Sequence, residues 1–294
     1  MLRKRSFTVA SRLAVLGAQR ETSVRANTTK YFTWKSKLGH NFFMGKVAAK
    51  NAGVTSYDWV EYFYQNALDP ILPWGDGGRL SGAERRAVIR SIQQFQLGEG
   101  ASGDRMLACA QRFSRDTGDL GLIAALRLFL REEQRHSKTL ARFLQLENAP
   151  CLRRHWIHGV FRWLRGLAGL ELCLKVLVTA EVLARPYYSA LRDATGSPLL
   201  RSICQRIFEE EAAHLRFQAF ALSRFQNRHR RATQAVIKTS HVVLLASTAA
   251  LVWAEHNAVF RSAGRTFRQF WRETWREFDL LYRTAPGTPP HAPA

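Results

Sequence analysis

Ionisable side chains sit on the core-facing stripe of four apolar helical segments, and this placement restricts the fold more than any other feature of the chain. One stripe reads Leu126, Phe129, Glu133, His136, Leu140, Phe143, and another Ile207, Glu211, His214, Phe217, Ala221. These positions step by three and four, the spacing of one buried helix face. Two further stripes carry a single acid each. They are Ile92, Phe95, Glu99, Met106, with Ser102 or Gly103 between, and Leu170, Leu174, Val178, Glu181, Tyr188. A buried, unpaired carboxylate is costly, so acids on a core face are paired or bound to a cation. Four carboxylates and two imidazoles satisfy one another poorly, whereas two divalent cations satisfy all six.

Spacing supports the same grouping. Glu133-Gln134-Arg135-His136 and Glu211-Ala212-Ala213-His214 are both E-x-x-H, which puts carboxylate and imidazole on one helix face. One such motif alone is weak, since a Glu and a His at this spacing are common on solvated faces. The turns add to it. Glu99 lies 18 residues before Thr117 and Glu133 16 after it, while Glu181 and Glu211 each lie 15 residues from Gly196. Residues equidistant from a turn share a depth in an antiparallel hairpin, so each hairpin brings a Glu level with an E-x-x-H. Carboxylate and imidazole donors without thiolate suit iron or manganese better than zinc or copper.

The chain reads as all-α, because no stretch sustains a two-residue alternation. Residues 1–30 read as a basic tail and 31–80 as an irregular or partly helical N-terminal arm. Four bundle helices are expected over 81–230. Ser81 and Glu84 form a capping box at the start of the first, which runs to about residue 114. The second covers about 120–146 and ends at Asn148 and Pro150. A crossover at 149–158 leads to the third, about 159–194, with a kink at Pro186. Ser197 as N-cap and Pro198 at the first helical position open the fourth, which reaches about 229. Two additional helices follow at about 232–261 and 265–283, and 284–294 is a Pro-rich tail.

Charge bears on partners. The 294 residues include 44 Lys and Arg against 23 Asp and Glu, a net charge of +21. Such a surface attracts anionic partners or an acidic membrane surface, or is simply a solvated basic surface. The four cysteines, Cys109, Cys151, Cys173 and Cys204, form no C-x-x-C pair. That excludes a zinc ribbon or rubredoxin-like site and fits a reducing cytoplasm. The Arg- and Ser-rich start also leaves an organelle transit segment open. The apolar run 242–254 is shorter than the roughly 20 residues that cross a bilayer, and reads as a buried helix.

With these motifs the chain resembles the ferritin-like superfamily of di-iron carboxylate proteins, over about residues 81–230. The pattern of one Glu plus one E-x-x-H, used twice, is that of di-iron and di-manganese carboxylate bundles. The resemblance implies Glu99, Glu133, His136, Glu181, Glu211 and His214 as ligands. It implies Glu133 and Glu211 as the bridging acids, and Glu99, Glu133 and Glu211 at the reacting centre. Glu132-Glu133-Gln134-Arg135-His136 is similar to the D-E-x-R-H segment of bacterial di-iron monooxygenases. Glu132 and Glu210 would then support the histidines, with Glu in place of the usual Asp.

Tyr188, or its neighbour Tyr187, would lie just outside the ligands, a core tyrosine being the alternative. The implied cofactor is two iron ions, with manganese or a mixed pair open. The implied activity is that of an O2-using oxygenase or oxidase on a small organic substrate, served by an external electron donor or reductase. Ferritin- or rubrerythrin-like iron oxidation or peroxide handling, and a scaffold with a vestigial site, remain alternatives, because a fold does not choose among them.

Other features stay open at this point. Gly98, Gly100 and Gly103 flank Glu99, for close packing or for open space beside it. His241 and His256 read as ordinary helix histidines, a seventh ligand being the alternative. Phe267, Phe270, Trp271, Trp275 and Phe278 among arginines read as a packing face or a membrane-docking one. The two last helices also suit a homodimer interface.

Overall fold

The computed structural model describes residues 54–67, 72–75, 79–156, 159, 169–225, 230–283 and 289. The expected basic tail, most of the expected arm, the start expected for the third bundle helix and most of the Pro-rich tail lie outside them. The helices are α1 (Ser56–Gln65), α2 (Gly82–Glu99), α3 (Asp104–Thr117), α4 (Leu120–Leu146), α5 (Leu170–Asp193), α6 (Pro198–Ser223), α7 (Arg231–Ser262) and α8 (Phe267–Arg283). No strand occurs among the described residues, so this part of the chain is all-α.

Local signals set most helix ends. Ser81 and Glu84 cap each other reciprocally at the start of α2. Glu84 also accepts the Gly196 backbone N–H at 2.6 Å, which ties α2 to the link between α5 and α6. Asp119 accepts from the Leu122 N–H and starts α4, and Asn148, at φ 53°, turns the chain away after its end. Ser197 caps α6, with Pro198 in its first turn.

Side-chain bonds give the helix directions. Between α5 and α6, Arg192 bonds Gln205, Arg185 bonds the Phe208 carbonyl, and Gln218 bonds Glu181. Moving back along one helix moves forward along the other, as only an antiparallel pair does. Arg85 with Glu147 and Gln96 with Ser137 show the same for α2 and α4.

The first bundle helix differs from expectation. Instead of running to about 114, it stops at Glu99 and resumes at Asp104. Gly103 has φ 66°, and a Cβ there would come within 2.4 Å of Leu130 Cδ1. Only glycine accepts that conformation and that approach together. The fourth bundle helix closes at Ser223 rather than near 229, and residues 226–229 lie outside the described ones.

α1 falls within the expected arm yet belongs to the core. Its Trp59 and Phe63 are buried, with ring centroids 5.4 Å and 5.1 Å from Phe217. Two apolar clusters result. One holds Phe63, Leu126, Phe129 and Phe217; the other holds Ile92, Leu140, Tyr187, Ile207 and Phe260. On α4 and α6 the E-x-x-H residues lie between the two.

α7 is not the buried helix its apolar composition suggests. By length and composition it could cross a membrane, and 22% of its most apolar window is buried. One face, with Leu245, Ala249, Val259 and Phe260, packs inward, while Val236 and Val243 are exposed. α8 turns Phe270 and Phe278 inward and leaves Arg268, Arg272 and Arg276 exposed.

Candidate metal centre

All six residues expected as ligands are buried and converge. Glu99, Glu133, His136 and Glu211 form one group, and Glu133, Glu181, Glu211 and His214 a second. Within each group, one ligand atom per residue lies within 4.8 Å of all the others. Glu133 and Glu211 belong to both groups, so the two E-x-x-H acids stand between the two potential ion positions. The break after Glu99 does not disturb this, since Glu99 is the last residue of α2 and faces α4 before the chain turns.

Both imidazoles aim Nδ1 inward. His136 Nδ1 lies 3.8 Å from Glu133 and 3.5 Å from Glu211. His214 Nδ1 lies 3.0 Å from Glu133, 3.4 Å from Glu211 and 3.8 Å from Glu181. The opposite nitrogens meet the neighbouring acids crosswise. His136 Nε2 is 2.7 Å from Glu210, and His214 Nε2 is 3.7 Å from Glu132. Each acid therefore faces the histidine of the other E-x-x-H, and not its own; the Glu210–His136 contact is a hydrogen bond, while His214 Nε2 has no hydrogen-bond partner.

The donor set fits cations. Glu133 Oε1, both Glu211 oxygens, His136 Nδ1 and His214 Nδ1 are buried without a hydrogen-bond partner. Buried polar atoms are almost always satisfied, so five orphans turned toward one space call for a ligand. The charges agree. Burial, then the charges of Glu133 and Glu211, pushes the Glu99 and Glu181 carboxyls well above the usual range. Burial disfavours charge on His136 too, but its hydrogen bond to Glu210 and the nearby carboxylates of Glu211 and Glu133 override it and raise its pKa. For His214 burial is overridden chiefly by the charge of Glu211. With only protein charges present, the cluster retains protons; divalent cations would replace them.

A polar network that local sequence signals did not predict backs one side. Asn66, just after α1, donates to Glu132 at 2.7 Å and to Glu210 at 3.4 Å. Arg135 donates to Glu210 at 2.7 Å and to the Asn66 carbonyl at 2.8 Å. Arg206 donates to Glu210 at 2.6 Å and to Asn66 Oδ1 at 2.8 Å. Burial opposes the Glu210 charge, yet His136, Arg135 and Arg206 hold its pKa down at about 2. Arg206 stands four residues before Glu210, a helical pairing that could be read locally. Asn66 has no such signal.

On the other side, Tyr188 donates to Glu99 at 2.6 Å and Gln218 donates to Glu181 at 2.9 Å. Beside them lies a largely apolar cavity of about 170 Å³. Glu99, Glu133 and Glu181 form part of its wall, with Gly98, Ala180 and Val252 among the rest. A Cβ on Gly98 would meet nothing within 4 Å, while one on Gly100 would approach Ser137 Oγ at 3.0 Å. Open space and close packing thus both apply, at different glycines.

His241 and His256 stand outside both groups. His241 bonds Tyr282 at 2.7 Å and Thr179 at 3.2 Å. His256 bonds Ser91 at 2.8 Å and lines the cavity.

No protein-family model matches the chain, and no curated protein or solved structure matches it either.

Proposed function

We propose that this chain is a di-iron carboxylate protein, built as a ferritin-like four-helix bundle of α2 with α3, α4, α5 and α6, and that it uses O2 to oxidise a small organic substrate. The observation that carries the reading is the sharing of Glu133 and Glu211 between two ligand groups, each completed by one terminal Glu and one His. Carboxylate bundles of this composition hold iron or manganese pairs. Such a pair, when bound and reduced, supplies the electrons and the open positions for reaction with O2.

The residues of the chain have separable tasks. Glu99 and Glu181 would each hold one ion, and Glu133 and Glu211 stand within reach of both groups. Glu210 accepts from His136 Nε2–H, which frees Nδ1 as the donor atom and fixes the ring. The Tyr188 hydroxyl, 2.6 Å from Glu99, holds a proton next to the cavity. Apolar side chains such as Phe95, Leu183 and Val252 line much of that cavity beside the carboxylates. The cavity favours oxidation of an organic molecule over iron storage, because a storage site needs ion access and no substrate-sized apolar space.

Metal analysis of protein produced with iron should give about two ions per chain. Reduced protein should consume O2 faster when a fitting organic compound is present. Protein that holds no metal under anaerobic purification sinks the centre. Reoxidation indifferent to every organic compound but fast with peroxide would move the reading to peroxide handling.

A further inference from the structure

His256 is buried yet keeps one nitrogen free. It is 5% exposed, on the inward face of α7, and its ring edges Phe95 and Tyr187 at centroid distances of 5.1 Å and 5.5 Å. Nδ1 is 2.8 Å from Ser91 Oγ. Ser91 Oγ in turn is 2.8 Å from the Tyr187 hydroxyl. Nε2 bonds to nothing among the described residues, and it is also absent from the fully enclosed orphan atoms. A nitrogen that is neither bonded nor sealed reaches open space, and the space His256 borders is the cavity beside Glu99.

Hydrogen-bond accounting fixes the tautomer. Tyr187 is fully buried, and among the described residues its hydroxyl meets only Ser91. If Nδ1 carried the proton, it would donate to Ser91, and either the Tyr187 or the Ser91 hydroxyl proton would be left without an acceptor among the described residues. A buried donor left unmade is costly. If instead Tyr187 donates to Ser91 and Ser91 donates to Nδ1, every proton in the row is used. Nε2 then carries the hydrogen. Burial lowers the His256 pKa to about 4, so the ring is neutral near pH 7.

We propose that His256 Nε2–H is a positioning donor for the substrate, and that the cavity takes an uncharged, mostly apolar, ring-sized molecule bearing one acceptor oxygen, such as a ketone, aldehyde or alcohol. The size follows from a volume of about 170 Å³, close to cavities of about 150 Å³ that hold benzene. The apolar character follows from Phe95, Val176, Leu177, Leu183 and Val252, which make up much of the wall; the carboxylates of Glu99, Glu133 and Glu181, which also line it, would be committed to ions on the reading above and so leave no partner for a charged molecule. The oxygen follows from the row Tyr187–Ser91–His256, which ends in one N–H donor at a wall that His155 also lines. That donor holds one end of the molecule, and the carboxylate cluster faces another part of it. The last point rests on the reading of the cluster as the reacting centre; the donor itself does not.

The test compares acetophenone with α-methylstyrene, its near-isostere with CH2 in place of the carbonyl oxygen, by calorimetric titration of the metal-loaded full chain. Acetophenone should bind about 3- to 10-fold more tightly, the range of one net hydrogen bond. His256→Phe should remove the preference, His256→Gln should restore part of it, and Ser91→Ala should weaken it. Equal binding of the two probes to the wild type, or a preference unchanged in His256→Phe, overturns the proposal. The wild-type ratio needs no variant, so misfolding of a variant leaves the test decisive. Metal content, measured on the same samples, reports separately on the centre.

Discussion

Toward α1, the cluster rests on ionic and amide contacts: Arg135, Arg206 and His136 all meet Glu210, and Asn66 bridges Glu210 to Glu132. Toward α2, α5 and α7, the same cluster meets an apolar cavity, a glycine without neighbours at its Cβ, and a few hydroxyl and imidazole contacts. One side fixes ligand orientation, since charged hydrogen bonds hold side chains within narrow limits. The other leaves room. A site that must keep its ligands rigid while admitting a molecule needs both, and here they are assigned to opposite sides.

The comparison breaks most completely at the shared acids. Glu211→Ala should leave well under one bound ion per chain where the wild type holds about two, read by elemental analysis. On the ionic side, Glu210→Ala removes the partner of His136 and leaves Arg135 half-satisfied. It should cost about 3–5 kcal/mol in denaturant unfolding and about 10- to 100-fold in metal affinity. A cost below 1 kcal/mol would mean that the network is ornamental. On the open side, Gly98→Leu should leave metal content intact while blocking turnover and the binding of ring-sized probes.

pH separates metal-free from loaded protein. Glu99 and Glu181 have folded pKa values raised above the ordinary 4.5, and His136 and His214 above 6.5. For each, the folded chain holds a proton that the unfolded chain releases, so stability falls as pH rises past the ordinary value. Glu210, lowered to about 2, acts oppositely, but only below 4.5. His241 and His256, lowered from 6.5 to about 4, also act oppositely and offset the two acids up to 6.5, so the melting temperature of chelated protein should fall mainly between about pH 6.5 and pH 8. Loaded protein should change less, because cations take the place of the protons. The smallest effects lie in the backbone near Glu99. Gly103→Ala should destabilise by more than about 1 kcal/mol, through both its φ and Leu130. Gly98→Ala should stabilise by up to about 1 kcal/mol.

The six clustered residues were legible because burial writes itself into sequence as periodicity, and an acid on an apolar stripe violates that period. Helix type and most caps were legible for the same local reasons. The break at Gly103 was not, since its cause is the approach of Leu130 from another helix. Nor was the row of Ser91, Tyr187 and His256, whose members lie 96 and 165 residues from Ser91. Composition also misled at α7, where an apolar sequence accompanies a helix packed along one face.

Asn66 gives the cluster a dependence on how α1 sits. Its amide and carbonyl touch Glu132, Glu210, Arg135 and Arg206 at once. If ions orient His136 through Glu210, they also bias Glu210 toward the geometry that Asn66 recognises. By reciprocity, whatever loosens α1 must weaken ion binding by the same factor that ion loss loosens α1. The ten residues of α1 would then act as a latch whose closure and metal occupancy report on each other. Hydrogen exchange of the α1 amides should slow as metal is added.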